Sequence, residues 1–254
     1  MISKTVCVVR MIVLASFALS SAAWAATCSN DSVRGTYGFL HDGTDSSGTP
    51  ATAAVSQLTF DSTTGTFSGE TTASHDGVIA TEPLTGTYAV ASNCTGTGNP
   101  TGGVPFSFVV TSTGFLAAHL FSEGFAVKQG FPSCANAGVT GRFGFATTGV
   151  FLAEAPNAAV AFIGELKLGI DASGEGVIIG HLAASEDGTF LTFAEEPVIG
   201  SYKIDRDCRG TATIKPKGLS EMHFSLVVVD CGKEMLAIET DVDTVVSGTL
   251  VKGD

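Results

Sequence analysis

A 16-residue motif occurs twice in the chain. EPLTGTYAVASNCTGT at residues 82–97 returns 114 residues later as EPVIGSYKIDRDCRGT at residues 196–211, with seven identical positions and no gap. Other segments match in the same order, such as CSNDSVRGTYGF at residues 28–39 and CANAGVTGRFGF at residues 134–145. Ordered self-similarity of this kind predicts two copies of one structural unit.

The apolar residues within each copy alternate with a period of two. Tyr37 and Phe39 share one face of a segment, and Phe106, Phe108 and Val110 share one face of another. This alternation is typical of strands with one buried face. After residue 25 we find no convincing helical period over three turns, so the sequence predicts an all-β fold.

Each copy holds about eight such runs, which is typical of a sandwich or a closed barrel. Periodicity does not separate the two, but closure removes the free strand edges that a small secreted module would otherwise expose. We therefore predict two tandem eight-stranded antiparallel β-barrels, at residues 26–130 and 131–254. Because the link contains Pro132 and neighbouring glycines, we expect limited contact between the barrels.

We interpret the repeated motif as a folding instruction and not as a functional site. Its Glu-Pro pair predicts a strand end, because proline cannot donate to a strand ladder. Gly86 and Gly200 allow a close backbone approach. Tyr88 and Tyr202 each supply a large ring with a polar tip.

Residues 1–25 have the pattern of a secretory signal peptide. Lys4 and Arg10 form a basic N-terminal region before a short apolar run from Met11 to Ala23, and Ala23-Trp24-Ala25 is a small-x-small cleavage site. The run is shorter than the roughly 20 residues of a spanning helix. The sequence therefore predicts a secreted or periplasmic protein without a membrane span.

The formal net charge is −12 at pH 7, with 13 Lys and Arg against 25 Asp and Glu. Such an acidic chain argues against nucleic acid or an anionic membrane as a partner. The apolar content of 44% with 17 Phe is too high for a disordered chain.

Five cysteines remain after the signal, and a secreted chain favours disulfides. Cys28 and Cys134 open the two copies, and Cys94 and Cys208 occupy the same motif position. Equivalent partners predict Cys28–Cys94 and Cys134–Cys208, with Cys231 free or intermolecular. The alternative pairs Cys208 with Cys231 and leaves Cys134 free.

Several segments resemble the bacterial secreted domains called allene-oxide-cyclase-barrel-like. In the first copy they are GTYGF at 35–39, LTFD at 58–61, GTYAV at 86–90 and CTGT at 94–97. The second copy keeps GSY at 200–202, CRGT at 208–211 and the run from Phe224 to Gly232. The resemblance implies a calycin-like, eight-stranded antiparallel barrel per copy. The plant enzymes of this fold cyclise an unsaturated fatty-acid epoxide, but no position here matches their catalytic arrangement.

The residues themselves indicate no catalytic, cofactor-binding or metal-binding site. The five His residues lack zinc-ligand spacing, and nucleophile-elbow, P-loop and Rossmann motifs are missing from the sequence. His41-Asp42-Gly43 and His75-Asp76-Gly77 are interpreted as turns. The acidic pairs Asp205/Asp207 and Asp241/Asp243 are interpreted as solvated charges, with calcium binding as the alternative.

Three acids lie inside apolar runs: Glu70, Glu165 and Glu239. If one of them faces a barrel lumen, desolvation raises its pKa, as a general acid or base requires. The alternative is that each lies on the outward face of its strand.

These observations leave three functional hypotheses. The leading one is a non-enzymatic module that binds a small apolar ligand or a surface component. The second is an isomerase or cyclase acting on a lipid-like substrate in a lumen. The third is a structural or adhesive spacer, in which Cys231 joins two chains.

Overall fold

The computed structural model of the chain describes residues 27–44, 50–119, 122–130, 133–152, 157–191, 197–217 and 220–253. About 70% of these residues lie in antiparallel strands. The helical elements among them are three short 3₁₀ turns, Asn30–Val33, Asn136–Val139 and Asp230–Gly232. The predicted signal peptide lies outside the described residues.

The first barrel has eight strands, and each pairs with the next in chain order. They are β1 (Gly35–Thr44), β2 (Pro50–Asp61), β3 (Thr66–His75), β4 (Val78–Val90), β5 (Thr95–Pro100), β6 (Phe106–Val110), β7 (Gly114–His119) and β8 (Ser122–Lys128). Pairing of β1 with β8 closes the cylinder.

The second barrel closes through pairing of β10 with β11. Its strands are β9 (Gly141–Phe151), β10 (Ala158–Ile170), β11 (Gly176–Glu186), β13 (Pro197–Ile204), β14 (Arg209–Lys215), β15 (Met222–Val229), β16 (Glu234–Glu239) and β17 (Thr244–Lys252). The short β12 (Thr189–Leu191) pairs with β11 outside the closed ring. The prediction of two tandem eight-stranded antiparallel barrels is confirmed.

Each barrel has one disulfide in the same place. Cys28 is bonded to Cys94, and Cys134 to Cys208, which are the pairs that the duplication predicts. Each bridge closes a loop of about 70 residues, which the loop-entropy model values at roughly 4 kcal/mol. Cys231 is exposed and has no disulfide partner among the described residues.

Beside each disulfide, the tyrosine of the repeated motif is hydrogen-bonded to the turn that opens the barrel. The Tyr88 hydroxyl donates to the Asn30 carbonyl at 3.2 Å, and the Tyr202 hydroxyl donates to the Asn136 carbonyl at 3.0 Å. Burial, followed by the nearby Asp61 charge, raises the pKa of Tyr88 to about 12, so the phenol remains a donor. The motif therefore fastens each barrel's N-terminus, as a folding instruction should.

Two local predictions of strand breaks are wrong. In the first copy β4 continues through Glu82 and Pro83, and Pro83 pairs with Glu70. In the second copy β13 begins at Pro197, so the proline there does stand at a strand end. His41-Asp42-Gly43 lies within β1 and not in a turn. His75-Asp76-Gly77 does form a turn, in which Asp76 and Gly77 have φ of 48° and 76°.

The expectation of limited contact between the barrels is also wrong. A buried apolar cluster joins the outer faces of β1 and β2 to the outer faces of β15, β16 and β17. Its members include Leu40, Val55, Val227, Val229, Leu236 and Ile238. Hydrogen bonds border this core, including Asp243 N to the Gly77 carbonyl at 3.0 Å and Cys231 N to the Gln129 carbonyl at 3.0 Å.

The sequence does contain a signal for this interface. Residues 226–229 read LVVV and residues 235–238 read MLAI, so both faces of these strands are apolar. Continuous apolar runs are typical of strands that are buried on both sides. Every second residue of these runs faces the lumen of the second barrel. A search for a period of two accounts for those residues alone and overlooks the apolar residues between them, which form the interface.

Within the described residues, no helix combines the length and hydrophobicity that a membrane crossing requires.

Replacement of Gly38 by alanine should destabilise the protein through the inter-barrel core. A Cβ at Gly38 would lie 2.4 Å from Val229 Cγ1 and 2.9 Å from Val227 Cγ1. Overpacking of this kind costs about 1–3 kcal/mol, and denaturant unfolding measures it. The matched control is Gly144→Ala at the equivalent, exposed position of the second barrel, where the nearest atom would be 3.8 Å away. Equal stability of the two variants would contradict a tight inter-barrel core.

Candidate functional site

The first barrel contains a half-open lumen. A cavity of about 460 Å³ lies at the end that we call the mouth, defined by Thr44, Thr52 and His75. Its wall is mostly apolar and includes Phe39, Ala54, Leu58, Ala73, Leu84 and Phe106. A volume of several hundred Å³ with an apolar wall is typical of pockets for small organic ligands.

Aromatic rings close the lumen below this cavity. The centroid of the Phe60 ring lies 5.1 Å from that of Tyr88, 5.5 Å from that of Phe115 and 5.7 Å from that of Tyr37. All three pairs meet edge to face, which the ring quadrupoles favour. The lower half of the lumen is therefore a packed core, and the space for a ligand lies above it.

One side of the cavity carries hydrogen-bonding groups. Ser56 on β2 is buried and donates from Oγ to Thr71 Oγ1 on β3 at 2.8 Å. Nearer the mouth, Thr52 Oγ1 and His75 Nδ1 are 3.1 Å apart, and His41 on β1 also lines the wall. The hydroxyl and imidazole groups of the cavity therefore lie on β1–β3 among apolar residues of the same strands, and Glu123 of β8 also lines the wall.

At two equivalent inward positions the second barrel holds larger side chains, although Gly164 stands where the first barrel has Ser56. Strand register places Phe162 where the first barrel has Ala54, and Leu182 where it has Thr71. Both Phe162 and Leu182 are buried in a continuous core cluster. Side chains of the second barrel therefore occupy positions that border a ligand-sized space in the first.

One acid of the three singled out from the sequence faces a lumen, and it is in the second barrel. Glu239 pairs in register with the buried Phe224 and is 3% exposed. Its Oε2 has no hydrogen-bond partner within the described residues. Burial, together with the neighbouring charge and hydrogen bond of Asp241, raises the pKa of Glu239 to about 8. Glu239 is therefore largely protonated at neutral pH.

The other two acids lie on outward faces. Glu70 forms an ion pair with Arg209 of the second barrel, and Glu165 pairs with Arg142 at 3.1 Å. Both carboxylates are more than one-third exposed. They therefore link surface strands and do not serve a lumen.

Asp241 connects the buried acid to the surface. Its Oδ1 lies 2.7 Å from His223 Nδ1, and its Oδ2 accepts a hydrogen bond from His223 N at 2.9 Å. In the described part of the chain, no cluster of three or more metal-ligating side chains occurs. Asp241 therefore lies between the buried Glu239, with which it interacts, and the exposed His223.

The sequence analysis missed the polar side of the first lumen. Thr52, Ser56 and Thr71 are common strand residues, and no motif marks them. Their inward direction follows from parity with Leu58 on β2 and Phe67 on β3, so the signal was available once those strands had been paired.

Comparisons with known proteins add little. No protein-family model matches the chain, and no curated protein matches it. A search of solved structures finds a protein of unknown function from the DUF3598 family of Nostoc punctiforme, at 10% identity and a TM-score of 0.28. That match covers 87% of this chain and 97% of the other.

Replacement of Glu239 by glutamine should make stability less dependent on pH. The unfolded carboxyl titrates near 4.5 and the folded one near 8, so the folded state binds its proton more tightly. Stability should therefore fall as pH rises from about 4.5 to 8, by up to about 5 kcal/mol at 1.4 kcal/mol per pKa unit. Thermal unfolding across this range measures the slope.

Glu239→Gln should lose most of that slope, whereas Glu165→Gln at an exposed site should keep it. If the stability of the wild type and that of Glu239→Gln change in parallel from pH 5 to 8, the second lumen does not hold Glu239 as a buried, uncharged acid. Nearby groups contribute equally to both proteins, so the difference between the two profiles isolates Glu239.

Proposed function

We propose that the protein is a non-enzymatic binding module whose first barrel holds a small, largely apolar ligand in its half-open lumen. The cavity of about 460 Å³ carries this proposal. It supplies an apolar wall for a ligand body, and hydroxyl and imidazole groups on one side for a polar substituent. Burial of the ligand body supplies about 25 cal/mol per Å² of apolar surface removed from water.

A binding role accounts for the cavity better than an enzymatic one. A cyclase or isomerase needs an acid or base where the substrate lies. The buried acid with a strongly raised pKa, Glu239, belongs to the second barrel. The ligand space and that acid therefore lie in different lumens. His41, His75 and Glu123 also line the ligand space, and the described contact of His75 is a hydrogen bond with Thr52, which suits the orientation of a bound molecule.

The location of the protein is part of the proposal. Two disulfides favour an oxidising compartment outside the cytoplasm, in agreement with the signal-like pattern of residues 1–25. The resemblance to allene-oxide-cyclase-barrel-like domains agrees with the eight-stranded barrels and assigns no chemistry to them.

Binding of the neutral fluorescent probe N-phenyl-1-naphthylamine tests the proposal. We expect saturable binding to the wild type and at least a tenfold loss of affinity in Ala54→Phe, because the phenyl ring would fill the cavity as Phe162 fills the second barrel. The matched control is Ala146→Phe on the exposed face of β9, which should bind the probe like the wild type.

Native mass spectrometry of the protein purified from its own host identifies the natural ligand class. A retained apolar molecule that is lost in Ala54→Phe supports the proposal. Absence of saturable probe binding in a folded wild type, or equal binding by Ala54→Phe and the wild type, would overturn it.

A further inference from the structure

The outer wall of the first barrel carries an apolar groove beside the lumen cavity, and the two spaces share Ala117, Ala118, Glu123 and Gly124 in their linings. Leu40, Phe125, Leu116 and Val109 lie directly opposite one another on four adjacent strands. They line a concave space of about 940 Å³. Leu116 and Val109 are 59% and 49% exposed, whereas Leu40 and Phe125 extend into the inter-barrel core. The groove therefore extends from the inter-barrel core to the exposed side chains of Leu116 and Val109.

Two carboxylates border this groove without a cation. Asp42 and Glu123 lie directly opposite each other on β1 and β8, an arrangement that is unfavourable for like charges. Among the described residues, no lysine or arginine forms an ion pair with either of them. Burial and the charge of Glu123 raise the pKa of Asp42, although a hydrogen bond from Ser247 opposes the shift. A lysine placed here would relieve the repulsion.

The second barrel presents a complementary surface, which we call the isoleucine ridge. It consists of Lys167, Ile179, Ile199 and Lys215, which lie directly opposite one another on β10, β11, β13 and β14. Ile179 and Ile199 are 53% and 58% exposed. Neither lysine forms an ion pair with a described residue. Groove and ridge each cross four strands, or about 14 Å at the usual strand spacing.

The contact between the barrels uses β1–β3 on one side and β15–β17 on the other. The ridge lies on other strands, and the exposed part of the groove, Val109 and Leu116, lies on β6 and β7 beside that contact. We propose that the groove of one molecule receives the isoleucine ridge of a second copy, with a ridge lysine placed beside Asp42 and Glu123. Each molecule then offers one groove and one ridge, so the contact is head-to-tail and propagates or closes into a ring.

A second copy fits the ridge better than an anionic lipid surface does. Two lysines would attract anionic headgroups, but the chain as a whole carries a formal charge of −12, which opposes approach to a negative surface. The acidic groove provides the opposite charge locally, next to an apolar row of the same length.

Sedimentation velocity at low ionic strength tests the contact. We expect the wild type to form species larger than dimers as its concentration rises to about 1 mM, since interactions with millimolar Kd are then populated. Leu116→Asp should remain monomeric because its groove is disrupted, and Ile179→Asp/Ile199→Asp should remain monomeric because its ridge is. The control Val251→Asp, at an exposed site on β17, should associate like the wild type.

The decisive sample is an equimolar mixture of the two monomeric variants. Leu116→Asp retains a ridge and Ile179→Asp/Ile199→Asp retains a groove, so the mixture should form heterodimers and nothing larger. Circular dichroism establishes that each variant is folded. A monomeric wild type at the highest concentration, or a mixture that stays monomeric while the wild type associates, would overturn the proposal. The proposal would also be overturned, in favour of a lipid surface, by one further result. In it, the wild type stays monomeric and sediments with phosphatidylcholine/phosphatidylglycerol vesicles, whereas Ile179→Asp/Ile199→Asp does not.

Discussion

Strands β1–β3 form a wall of the first barrel that is packed on both of its faces, and the rest of the structure depends on this wall. The inward residues of β1–β3, such as Ser56 and Thr71, line the lumen of the first barrel. The residues that alternate with them, such as Leu40 and Val55, pack against the second barrel. Because successive side chains on a strand point in opposite directions, the lumen cavity and the inter-barrel core are separated by a single layer of backbone. The second barrel therefore supports the wall of the cavity.

This arrangement gives the duplication a physical meaning. The two barrels have equivalent disulfides and equivalent tyrosine hydrogen bonds. Each also has a lysine over an equivalent aromatic ring: Lys128 lies 5.9 Å from the ring centroid of Tyr37, and Lys252 lies 5.9 Å from that of Phe143. Their lumens have diverged. The first barrel has Ala54 where the second has Phe162, and the second barrel packs through β15–β17 against the wall of the first.

Much of the fold could be predicted from the sequence, and little of the site. The period of two and the duplicated motif are local or pairwise signals, so the strands, the two copies and the equivalent cysteine bridges were predictable. Closure into barrels was inferred from the free strand edges and the family resemblance, since periodicity does not separate a barrel from a sandwich. The open lumen depends on register. A sequence alignment that matches LTFD at residues 58–61 with LGID at residues 168–171 pairs Leu58 with Leu168. The strand register instead makes Leu58 equivalent to Leu166. That two-residue offset preserves the inward direction but moves each side chain one layer along the barrel, which changes which residues meet across the lumen.

The sequence by itself determined that the chain is a duplicated all-β protein, because alternation and internal identity are properties of neighbouring residues and of matched segments. Only the tertiary structure decided that the first lumen is half-open, that Phe162 and Leu182 enter the core of the second barrel, that Glu239 is buried and that the barrels pack together. These properties depend on the volumes and charges that closure brings together from strands far apart in the chain, and on contacts between the outward faces of two separate cylinders.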